Sequence, residues 1–144
     1  MMGGWVCSKT RKKANELWLR AGELGNATAY NNIGNSYYRG RGVEKDTKKA
    51  IYYSELAAMG GDITARHNVG NLEYNAGNMN RAMKHWMIAA GAGYDSSLTA
   101  IRQMFLDGHA TKDEFEKALR AHKEANDEMK SEQREIAAEY YGQN

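Results

Sequence analysis

Four histidines, one cysteine and a Gly-x-Gly turn are the residues that could carry chemistry in this chain. A metal held by one helix needs ligands about a turn apart. No two of His67, His85, His109 and His122 stand four residues apart. Cys7 is the sole cysteine, which excludes an intrachain disulfide and a Cys-based zinc cluster. Lys9, Arg11, Lys12 and Lys13 follow it closely and would lower its pKa. A thiol nucleophile also needs a base and an oxyanion site, and the sequence presents neither. Gly40-x-Gly42 precedes a helical stretch as a phosphate loop would, yet it has no preceding strand and no Gly-Lys-Ser/Thr ending. Gly91-Ala92-Gly93 reads as a turn for the same reasons. Tyr37, Tyr52, Tyr53, Trp86 and Phe105 read as core packing and not as a cofactor box. The expectation is therefore a chain without catalytic residues, cofactor or metal.

The elements that would position these residues are helices. Apolar residues make up 42% and charged residues 26% of the chain, as in ordinary globular proteins. Proline is absent, which suits long helices on short glycine turns. A net charge of +2 gives no ground for a nucleic-acid or membrane partner. No apolar run approaches the length of a membrane span. The N-terminal basic residues follow a very short apolar patch, the reverse of a secretory signal, so a cytoplasmic location is expected.

Small residues recur at a fixed period. Ala29 and Ala65, Gly34 and Gly70, Ala14 and Ala50, and Ala21 and Ala57 are each 36 residues apart. Ala50 to Ala82 and Ala58 to Ala90 are 32 apart, so one connection has lost about a helical turn of chain. The loss falls where Arg39–Asp46 is replaced by the tight Asn75–Asn78 turn. This predicts a half repeat over 8–26, a full repeat over 27–62, a shortened one over 63–94 and a degenerate one over 95–141. Within the first full copy, helices are predicted over Thr28–Arg39 and Thr47–Met59, with Asp46 capping the second. Ser8 or Thr10 would cap the first helix, and Ala14, Leu17, Trp18 and Ala21 would form its packing stripe. The last helix, from near Thr111 to about Tyr141, turns increasingly polar beyond His122 and would cap the array.

The pattern Ala29…Ile33-Gly34…Tyr37…Gly40-x-Gly42-Val43…Asp46…Ala50…Tyr53…Ala57-Ala58…Gly61…Ala65 resembles the Sel1-like repeat, a relative of the tetratricopeptide repeat. The resemblance covers about residues 12–125. It implies an all-α fold: a short right-handed α/α superhelical solenoid of stacked antiparallel helix pairs, about seven helices, with a long capping helix at the C-terminal end. It also implies a non-catalytic scaffold or adaptor that binds a protein or peptide. By the same resemblance, first helices line a concave face, which would present Asn31, Asn35, Tyr38 and Arg39, then His67, Asn71, Tyr74 and Asn75. Asparagine is a poor helix former, but its amide both donates to and accepts from a peptide backbone. Tyrosines add rigid contact area. A second expectation is a structural module that forms a weak homodimer through Trp5 and the helix Ser8–Leu24, whose Leu17, Trp18 and Leu19 spread around the helix.

Overall fold

A computed structural model describes the backbone of residues 2–142 and side chains from Lys9 onward, so Trp5, Cys7 and Ser8 lie outside the described side chains. The described residues form seven helices and no strand: α1 (Met2–Glu23), α2 (Ala27–Arg39), α3 (Thr47–Met59), α4 (Ile63–Asn75), α5 (Met79–Gly91), α6 (Asp95–Leu106) and α7 (Lys112–Gly142). The expected all-α architecture is therefore present. The chain falls into two compact units, Met1–His85 and Trp86–Asn144, with the division inside α5.

In the first unit, polar caps set where helices begin. The side chains of Asn26, Asp46 and Asp62 accept hydrogen bonds from Ala29 N, Lys49 N and Ala65 N at 3.0–3.1 Å. Each relieves one of the unpaired amides at a helix start. Small residues then let the helices close together. Ala29, Ala50, Ala57 and Ala65 are buried, joined by Ile33, Val69 and Leu72. Gly34 brings α2 close against α3. A Cβ there would overlap Ser54 Oγ and stand 3.1 Å from the Ala50 carbonyl oxygen. Tyr53 stacks on Tyr37 at 5.6 Å and on Tyr30 at 6.1 Å. Burial first, then the neighbouring tyrosines, pushes its hydroxyl pKa up.

The Gly-x-Gly turn serves packing. Gly42 has φ +73°, and a Cβ there would lie 2.7 Å from both Arg11 C and Lys12 N. Only glycine allows the turn to seat on the backbone of α1. Buried Asn15 holds it there: its Nδ2 donates to the Arg41 carbonyl at 2.8 Å, leaving its Oδ1 without a partner. This corrects two expectations for α1. The helix starts at Met2, ahead of Ser8 and Thr10, and its buried positions are Asn15 and Gly22, while Leu17 is 57% exposed.

The shortened connection is also explained. Asn78 donates its backbone amide to the Glu73 carbonyl at 2.8 Å and its Nδ2 to Glu73 Oε2 at 2.7 Å. Buried Glu73 also lies 4.0 Å from Arg81.

In the second unit, Trp86, Ala89, Ala90, Ile101, Met104 and Ala118 are buried. Phe105 stacks on Phe115 at 5.1 Å, and His122 Nε2 meets Asp95 Oδ1 at 2.7 Å, fastening α7 to α6. Thr111 and Glu114 cap α7 reciprocally: Glu114 N donates to Thr111 Oγ1 and Thr111 N to Glu114 Oε1. The packed part of α7 ends at Met129, whose Cε would stand 3.5 Å from a Cβ on Gly93; every residue over 127–142 is nonetheless exposed. Of the five aromatics expected in the core, Tyr52 is the exception, 57% exposed and edge-on to Tyr53.

Candidate functional site

Successive first helices α2 and α4 lie side by side, and their polar residues bond across the gap. Asn68 Nδ2 donates to Asn31 Oδ1 at 3.4 Å, and Asn75 Nδ2 donates to Tyr38 Oη at 3.3 Å. Of the eight residues expected on this face, the structure joins Tyr38 and Asn75 directly. Asn31 bonds instead to Asn68, which sequence reasoning passed over. Both bonds span 37 positions, one more than the repeat. The period identifies equivalent residues but says nothing of the stagger between neighbouring helices, so it pairs Asn31 with His67 and misses Asn68.

The remaining face residues differ in exposure. Asn35, Arg39, Asn71, Tyr74 and Asn75 are exposed, while Asn31, Tyr38 and His67 are half-buried. Tyr38 is further fixed by Lys45, whose Nζ stands 5.8 Å from its ring centroid. Burial lowers the His67 pKa, which keeps its imidazole neutral near pH 7 and able both to donate and to accept. At the N-terminal ends of α2 and α4 an open cleft of about 710 Å³ is lined by Thr28, Asn31, Ile63 and Thr64, among others. The face is thus neutral and amide-rich at its centre and opens into a cleft at one end.

A second polar cluster lies off this face. His85 Nδ1 faces Arg66 Nη1 at 3.4 Å, and His85 Nε2 faces Glu55 Oε1 at 4.0 Å. Guanidinium only donates, so Nδ1 accepts and the neutral ring carries its proton on Nε2, toward Glu55. Burial and then Arg66 lower this pKa, with Glu55 opposing. The cluster ties α3, α4 and α5 together and supplies no nucleophile. Among the described residues no group of three or more His, Cys, Asp or Glu side chains is placed to hold a metal ion. Nor is any described helix long and apolar enough to cross a membrane.

Comparison with known proteins agrees with this geometry. The Sel1 repeat model matches residues 4–26 and 27–62. The second match has the same bounds as the full repeat read from the sequence. A crystal structure of a Sel1 repeat protein from Oxalobacter formigenes superimposes with a TM-score of 0.65 over 88% of this chain and 56% of that one, at 25% identity. The ERAD-associated E3 ubiquitin-protein ligase component HRD3A of Arabidopsis thaliana is 37% identical over 70 residues. Those residues are 48% of this chain and 10% of HRD3A, so the chain matches only a small part of that relative's length.

Proposed function

We propose that this chain, whose residues 4–62 match the Sel1 repeat, is a protein-interaction module, a non-catalytic scaffold holding an extended peptide along the α2–α4 face. Asn31, Asn35, Tyr38 and Arg39 of α2 and His67, Asn71, Tyr74 and Asn75 of α4 form that surface. The observation that carries the reading is the row of cross-helix amide and phenol contacts running toward the cleft at Thr28, Asn31 and Thr64. Amides spaced along two parallel helices match the alternating donors and acceptors of a peptide backbone. The exposed tyrosine ring of Tyr74 offers anchoring area at low entropy cost.

The test is selection of binders from a displayed peptide library, followed by two sets of substitutions. Asn35→Ala, Asn71→Ala and Tyr74→Ala together should weaken the selected peptides by about tenfold or more, the loss of one anchor contact and its hydrogen bonds. Lys48→Ala, Lys84→Ala and Lys117→Ala on second and last helices should leave affinity unchanged, with equal melting temperatures confirming intact folds. Binding lost through the lysines and kept without the amides would refute the α2–α4 face. A second reading, self-association through the N-terminal helix, draws support from exposed Leu17, Leu19 and Leu24 on and just beyond α1.

A further inference from the structure

The modest net charge of the chain hides a strong polarity. Residues 9–49 carry ten Lys and Arg against four Asp and Glu, a net +6, leaving the remainder at −4. The fold concentrates the positive half. Seating Gly42 on the α1 backbone brings the turn bearing Arg39, Arg41 and Lys45 beside Arg11, Lys12 and Lys13. Those six residues are exposed. Leu17 and Leu19 add exposed apolar surface farther along α1.

The complement is on the same chain. The exposed segment of α7, 127–142, carries five Asp and Glu against two Lys and Arg, a net −3. Ile136 and Tyr140 are exposed, and with Gln133 they continue, at steps of four, three and four, the stripe of Met129, whose Cε already reaches toward Gly93. That is the seam spacing by which one helix packs along another. Sixteen residues of helix reach about 24 Å, close to the roughly 22 Å of α1 from Lys9 to Glu23.

We infer that the occupant of this α7 face is a second copy of the chain, its α1 and Gly-x-Gly turn receiving the first copy's α7 in a head-to-tail contact. Within self-association through the N-terminal helix, charge favours this contact over a pairing of α1 with α1. A dimer through α1 would set net +3 of residues 9–23 against another +3. Pairing α7 with α1 opposes unlike charges and covers the apolar stripe of α7. A head-to-tail contact uses different surfaces on the two partners, so each added copy exposes the same pair of ends again. Assembly therefore continues past a dimer unless a ring closes.

Light scattering of the intact chain from micromolar to millimolar concentration tests this, at low and high salt. The average mass should climb past a dimer, and association should weaken by roughly tenfold or more in high salt, as for several exposed ion pairs acting together. A tail variant, Ile136→Lys with Tyr140→Lys, and a corner variant, Arg11→Glu with Lys12→Glu and Lys13→Glu, change only exposed residues. Each should be monomeric alone. Mixed, they should form a dimer and stop there, since one complementary pair of surfaces survives. A parent that stays monomeric overturns the inference, as does a tail variant that associates like the parent. So does a parent that binds poly(U) RNA or phosphatidylserine vesicles through the corner while remaining monomeric.

Discussion

Replacing Gly34 by alanine sets two effects of opposite sign against each other. In a helix interior the change from glycine gains about 1 kcal/mol of helix propensity. Against that, the new methyl would overlap Ser54 Oγ and stand 3.1 Å from Ala50 O and 3.3 Å from Ser54 N. The hydroxyl can rotate, but the two backbone atoms belong to α3 and yield only if the helices part. Overpacking of this kind costs about 1–3 kcal/mol. The net expectation is a loss of about 1 kcal/mol, or roughly 3–5 °C in Tm for a chain of this length. Circular-dichroism melts of Gly34→Ala, Ser54→Ala and the double variant make a cycle. Removing Oγ should restore part of the loss, so the double variant should be more stable than the sum of the singles by about 0.5–1 kcal/mol. A Gly34→Ala protein that melts higher than the parent would show that α2 and α3 are not in this contact. Gly91→Ala is the control, since its methyl would meet only Ala121 Cβ at 3.8 Å.

Two further outcomes follow from the same structure. Gly42→Ala should destabilise by about 1–2 kcal/mol more than Gly40→Ala. Both glycines have positive φ, but only at Gly42 does a methyl run into the α1 backbone, the nearest atom at Gly40 being 3.5 Å away. Equal losses in melting experiments would mean that the turn is not seated on α1. Stability should also fall with acid. The folded pKa values of His67 and His85 lie below the ordinary value, so the unfolded chain binds more protons as pH drops. Their contribution is complete above about pH 6.5 and is lost as pH falls through the depressed folded values. Tm measured between about pH 7.5 and 5 should decline in the parent and less in His85→Gln; parallel curves would refute the role of His85.

The regular parts of the fold were legible because each depends on local rules. Buried alanines at a constant spacing, Asp46 before a helix and glycine at the turns are signals that any neighbourhood preserves. The failures have one physical source, the identity of the neighbour. Leu17 reads as inward on apolar periodicity alone. What α1 meets, however, is a turn whose Arg41 carbonyl needs a donor, so Asn15 faces in and Leu17 faces out. The eight residues expected on one face do lie on α2 and α4, but the bonds between those helices depend on a stagger that no period encodes. Likewise, the polar character of the last helix was plain, yet where its packing stops, at Met129, depends on its contact with the turn at Gly93.

The contacts between α2 and α4 bear on how fast a partner could come and go. At 3.3–3.4 Å these bonds are long, and at least one sits at an exposed position. A peptide that engages Asn31 or Asn75 would replace an existing bond with a new one, so the net enthalpy of each exchange is small. The amides are meanwhile held in place beforehand and need little ordering at the moment of capture. Tyr38, having accepted from Asn75, still keeps its own proton to give. If the proposed peptide binds here, such a surface would favour rapid exchange among many related segments over prolonged residence of any single one.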